Sequence, residues 1–142
     1  ALLRLAALVL FTFPGVPTVF YGDEAGMEGW EDPFNRGTYP WGHEDTTIRE
    51  LFATLGGLRK QRVSLRWGGL RWLEAQDRLV AFARETAGER SVTILNAGDS
   101  PQAFTLDWPW DSCKDLLSQR DFIPVNGQLT LELAPYQGLL LC

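Results

Sequence analysis

Between Val16 and Tyr21 the chain reads Val-Pro-Thr-Val-Phe-Tyr, β-branched and aromatic, without the polar alternation of a half-exposed strand. Such a run predicts a strand covered on both faces, as parallel strands are. It opens into Gly22-Asp23-Glu24 and then a loop rich in glycine, proline and carboxylates, which holds Asp32-Pro33-Phe34-Asn35-Arg36 and runs on to Trp41. A buried strand that ends in acids and feeds a long polar loop is how a parallel α/β barrel builds part of a binding site at the C-terminal rim of its sheet.

The flanks predict helices. Ala1 to Phe13 is apolar apart from Arg4 and Thr12, and Pro14-Gly15 stops it, because proline lacks a backbone donor and clashes with a continuing turn. The run is shorter than the ~20 residues that span a bilayer, so it reads as a helix buried on nearly all sides and gives no reason to expect a membrane. After the loop, Asp45 is placed as the N-cap of a second helix, with Ile48, Leu51, Phe52, Leu55, Leu58 and Val63 at helical spacing. Gly56-Gly57 in its middle implies either a bend or a close neighbour.

From about Gly69 short alternating runs take over, separated by turn residues: Leu70 to Glu74, Leu79 to Arg84, Val92 to Asn96, Ala103 to Leu106, Leu129 to Leu133 and Gly138 to Leu141. Six such runs predict an antiparallel sandwich. The expected fold class is therefore α+β: the last αβα portion of a (β/α)8 barrel over residues 1–66, then an all-β antiparallel sandwich over 67–142. A lone αβα piece cannot close a core, since its strand needs neighbours on both edges. It must pack on the sandwich, pair with another copy, or meet the rest of a barrel upstream. Left bare, its apolar surface predicts self-association.

Composition narrows the partners. Thirteen basic against 18 acidic residues give a net charge of -5, and no Lys/Arg cluster offers a phosphate track, so nucleic acid is not expected. Cys113 and Cys142 stand far apart and His43 is the single histidine, which leaves no metal-ligand spacing. A disulfide between the two is the alternative to the reading that a chain this poor in cysteine favours, a pair of reduced core thiols. No motif requires a cofactor, and no calcium-ligand set is recognisable.

Pro14 to Glu24, then Asp32-Pro33 with Arg36, then Tyr39-Pro40-Trp41 resemble the last strand and following loop of the α-amylase family, glycoside hydrolase family 13, in its cyclomaltodextrinase, neopullulanase and maltogenic amylase branch. Leu58-Arg59-Lys60, Gly68-Gly69, Leu79 to Arg84 and Val92 to Asn96 are similar to that family's C-terminal β domain. The resemblance implies a retaining α-glucan hydrolase acting on α-1,4 links of cyclodextrins, pullulan or maltooligosaccharides, and a cytoplasmic location. It also implies that the chain begins in mid-domain, that the catalytic carboxylates precede Ala1, and that no catalytic residue falls within this sequence.

For the loop, the resemblance implies that Asp32 and Arg36 hydrogen-bond a glucose ring at a distal subsite. The residue types suit that role: a carboxylate accepts from vicinal hydroxyls and a guanidinium donates through a fixed fork. The plainer alternative is a loop salt bridge between them. Tyr21, Trp30 and Trp41 are candidates for stacking on sugar faces, whereas Trp67, Trp72, Trp108 and Trp110 are expected in the core or at an interface. Glu24 is expected to be structural, anchoring loop amides or a neighbouring arginine of the barrel. Two other functions stay open: a stand-alone carbohydrate-binding or interaction β module, and part of a sucrose- or trehalose-acting transglycosylase.

Overall fold

The computed structural model describes residues 1–142. Its order is α1 (Leu2–Thr12), α2 (Thr46–Gln61), α3 (Val63–Trp67), then β1 (Gly69–Gln76), β2 (Leu79–Glu85), β3 (Arg90–Asn96), β4 (Gln102–Asp107), β5 (Cys113–Lys114), β6 (Asp121–Phe122), β7 (Gln128–Leu133) and β8 (Gly138–Leu141). β1-β2-β3-β8 form one antiparallel sheet, while β4-β7 and β5-β6 form two-stranded pairs.

Strand periodicity sorts the side chains of the large sheet. Ala81, Ala83, Val92, Ile94, Leu139 and Leu141 point inward to meet Phe104, Leu106, Leu129, Leu131 and Leu133 of the β4-β7 ribbon. The alternate residues Leu95 and Leu140 face the other way, onto Leu5, Leu8, Phe11, Phe52, Leu55 and Leu65 of the helices. The central strands are thus covered on both faces, which is why β3 and β8 are buried nearly end to end. The helices of residues 1–66 thus pack on the outer face of the sandwich.

Three expectations are corrected. Val16 to Tyr21 forms no strand; no other strand lies beside it to complete its hydrogen bonds, and Val16 and Phe20 are largely exposed. α1 buries one face, through Leu5, Leu8 and Phe11, and leaves Leu2 in solvent. The second helix stops at Gln61 rather than reaching Val63, because Arg62 turns extended and donates to the Arg90 carbonyl at 3.1 Å. The β5-β6 pair, of two residues each, is too short for alternation to reveal. No helix is long and apolar enough to cross a membrane.

Gly56 and Gly57 sit within an unbroken α2. A side chain at Gly56 would meet the Phe11 ring at 3.7 Å, an ordinary contact, and one at Gly57 would meet nothing. The glycines therefore mark neither a kink nor a tight crossing.

Candidate sugar-binding loop

The loop begins on a clamp. Arg59 of α2 donates to the carbonyls of Phe11 (2.6 Å), Phe13 (3.2 Å) and Gly15, fixing the chain as it leaves α1. Burial lowers the Arg59 pKa, yet an arginine stays charged at any working pH. Asp23–Ala25 then forms a single 3-10 turn between Gly22 (φ 91) and Gly26 (φ 70), both in the left-handed region that glycine favours. Glu24 folds back so that its Oε2 accepts the Gly22 amide at 3.1 Å.

The excursion closes where Asp45 N–H donates to the Ala25 carbonyl at 3.0 Å. The Asp45 carboxylate accepts from the amides of Thr47 (2.9 Å) and Ile48 (3.1 Å) and from the Thr47 hydroxyl, so one residue both seals the loop and caps α2. The Thr47 hydroxyl and the Ile48 amide hold its pKa below the ordinary aspartate value.

Within the loop, Asp32 and Arg36 pair in fork geometry: Nε to Oδ1 at 2.7 Å and Nη2 to Oδ2 at 3.3 Å, with side chains 61% and 76% exposed. Tyr21 donates its hydroxyl to the Gly37 carbonyl at 3.0 Å. Its ring lies 6.1 Å from that of Tyr39, which lies 4.6 Å from Trp41, so the three make one row. Trp30 is 82% exposed and stands apart from that row.

Tyr39 is the residue the sequence reading missed as a site member. Its position two before Trp41, across the turn in which the Trp41 amide donates to the Tyr39 carbonyl at 2.9 Å, brings the two rings together. Desolvation, then the Glu24 and Glu44 charges, raises its pKa above the ordinary tyrosine value.

The tryptophans of the β region divide. Trp108 is core, as expected, but Trp67 and Trp72 are exposed and Trp110 is half exposed. Trp72 still leans on Phe13 and Phe82, at 6.0 and 5.7 Å between centroids. Both cysteines are free thiols. His43 lies exposed on the loop, and no group of three His, Cys, Asp or Glu side chains is gathered closely enough to hold a metal ion. Chemically, the loop offers an aromatic row, a carboxylate and a guanidinium on open surface, the inventory for gripping a polyhydroxyl ring.

The family profile described as "Maltogenic Amylase, C-terminal domain" matches residues 70–140. Amylopullulanase of Thermoanaerobacter thermohydrosulfuricus is 32% identical over 98% of this chain, which spans 10% of that relative. Neopullulanase 2 of Thermoactinomyces vulgaris is 34% identical over 97% of the chain, and the chain spans 25% of it. The crystal structure of an Anoxybacillus alpha-amylase superposes with a TM-score of 0.90 at 28% identity, covering 98% of this chain and 31% of that one. The chain thus spans a quarter or less of the curated relatives it is compared with here. By the profile match and by these relatives, the chain belongs to the α-amylase family and carries its maltogenic amylase C-terminal domain.

Proposed function

We propose that this chain is the C-terminal part of a retaining α-glucan hydrolase acting on α-1,4 links of cyclodextrins, pullulan or maltooligosaccharides, and that Asp32 and Arg36 grip a glucose ring at a distal subsite. The observation that carries this reading is the Asp32–Arg36 fork, held at 2.7 Å yet open to solvent on a loop that also bears Tyr21, Trp30 and Trp41. A structural ion pair gains little at such exposure. A sugar ring that displaces water from the fork takes up its remaining acceptor and donor positions.

In this reading residues 1–66 supply a helix, strand and helix of a (β/α)8 barrel, and Val16 to Tyr21 gains its missing strand neighbours from barrel segments outside this chain. The two reacting carboxyl groups, set ~5–5.5 Å apart for retention, lie on those segments as well. Within this chain the Glu24 carboxylate accepts from the Gly22 amide and the Asp32 carboxylate pairs with Arg36, which supports structural and binding roles for the two.

The test has two arms. The purified chain should release no reducing sugar from maltoheptaose. The longer polypeptide read from the coding region upstream of Ala1 should do so, and Asp32→Ala or Arg36→Ala within it should raise KM about tenfold with a smaller change in kcat, the mark of lost substrate positioning. Turnover by the chain alone, or parental kinetics in both variants, would refute the reading.

A further inference from the structure

A cleft of about 730 Å³ opens where the β2-β3 turn meets Trp108 to Ser112 and the chain end at Cys142, and no residue of the 21–41 loop lines it. Its volume is in the range of sites that enclose small organic ligands. Trp108 forms the fixed wall: it is fully buried and its indole N–H donates to the Ser112 carbonyl at 2.8 Å. Trp110 stands edge-on to it at 5.1 Å and remains 49% exposed in the cleft. The Arg90 guanidinium lies 5.4 and 5.6 Å from the two ring centroids, so Trp110 is braced rather than loose.

The side-chain charges lining the cleft cancel. Arg90 pairs with Glu85 at 3.0 Å and Arg62 with Glu89 at 3.5 Å, two cations against two anions, so an ionic ligand would have to break a pair. Both pairs are made through the arginine Nε atoms, and the Arg90 side chain is only 10% exposed. A half-exposed indole beside partly exposed guanidinium and carboxylate side chains whose charges balance fits a neutral polyhydroxyl ligand with one apolar face.

We propose that this cleft is a second, non-catalytic oligosaccharide-contact site, with a sugar ring stacked on Trp110 and its hydroxyls bonded to the partly exposed Arg62, Glu85 and Glu89 side chains. That the sugar is an α-glucan rests on the function proposed above; that the cleft takes a neutral sugar does not.

The experiment is a calorimetric titration of the full chain with maltoheptaose and, separately, cellohexaose, with the tryptophan indole N–H resonances followed by NMR. Maltoheptaose should bind saturably and shift the Trp110 resonance. Trp110→Ala should weaken it about tenfold or more, as truncating an anchoring tryptophan does, while Trp110→Phe recovers most of the loss and Trp67→Ala changes nothing. Raising NaCl from about 50 to about 500 mM should leave the affinity unchanged, since the sugar carries no charge for salt to screen. Cellohexaose binding as tightly as maltoheptaose, and lost equally in Trp110→Ala, would retain the cleft as a sugar site and sink the α-glucan assignment. No maltoheptaose binding, unchanged affinity in Trp110→Ala, or affinity lost in Asp32→Ala but not in Trp110→Ala would overturn the proposal, the last of these leaving the loop reading intact.

Discussion

Arg84 of β2 donates through Nη1 to the Thr12 carbonyl at 2.7 Å, joining the C-terminus of α1 to the sandwich. Its Nε and Nη2 both reach the Gly68 carbonyl, at 3.0 and 2.9 Å. The guanidinium is buried without a carboxylate partner; burial, and then the Arg59 charge, lowers its pKa. What stabilises it is carbonyl oxygen at a helix end, where unpaired C=O groups and the helix dipole both favour a cation. α1 has no basic residue in its own last turn, so Arg84 and Arg59 supply that charge from elsewhere in the fold.

Arg84→Ala strips a partner from two buried carbonyls at once. The expected loss is roughly 3 kcal/mol, from about 1–3 kcal/mol per buried group left unpaired. Arg84→Lys, with one ammonium in place of the fork, should recover only part of it. Arg59→Ala should cost less, because its carbonyl partners are closer to solvent. Urea midpoints that rank Arg59→Ala as the more harmful change would count against this account of how the helices are held.

Gly68 and Gly57 should respond oppositely to alanine. A Cβ at Gly68 would lie 2.4 Å from the Ser64 carbonyl oxygen and 2.8 Å from the Glu85 amide, both backbone atoms that cannot swing aside. At Gly57 a Cβ meets open space inside a helix. Gly68→Ala should destabilise by about 2 kcal/mol, within the ~1–3 kcal/mol usual for overpacking, and Gly57→Ala should stabilise by up to about 1 kcal/mol. Thermal melts of the two variants settle the matter, and equal shifts of either sign would contradict it.

How much of this was legible in the sequence follows from where the physics is local. The six long strands emerged because alternation and turn residues are read along the chain, and Gly138 to Leu141 matches β8 residue for residue. The Asp45 cap did too, since its partners are two and three residues away. The Val16 to Tyr21 strand failed for the converse reason: its composition is that of a covered strand, but strand pairing is a long-range property that six residues do not carry. Asp32 with Arg36 was visible as a spacing, whereas the Tyr21-Tyr39-Trp41 row and the Trp110 cleft depend on how distant segments meet. Arg84 was hidden altogether, because nothing in a strand sequence announces a buried arginine aimed at a helix end 72 residues away.

Asp45 gives a pH test with a definite sign. Its folded pKa lies below the ordinary value, held there by the Thr47 hydroxyl and the Ile48 amide. The stability it contributes is therefore complete above the unfolded aspartate pKa of ~3.9 and lost as pH falls through the lower folded value. Asp45→Ala should melt a few degrees below the parent chain from about pH 7 down to about pH 5. The gap should close in stronger acid, and a gap that widens there would show that the cap is not what the carboxylate provides.

The two cysteines should separate by reactivity. The Cys113 thiol sits in the sandwich core, where burial, followed by the Cys142 and Asp115 charges, pushes its pKa up to about 12. The thiolate is the reactive form, and at about pH 8 almost none exists at such a site. Cys142 is only partly buried and lines the Trp110 cleft. A disulfide-exchange reagent added to the native chain should therefore titrate one thiol quickly, at Cys142, and the second only as the sandwich unfolds. If Cys113 reacts at the same rate as Cys142 under native conditions, the β4-β7 ribbon does not seal the core as the packing of Leu129, Leu131 and Leu133 implies.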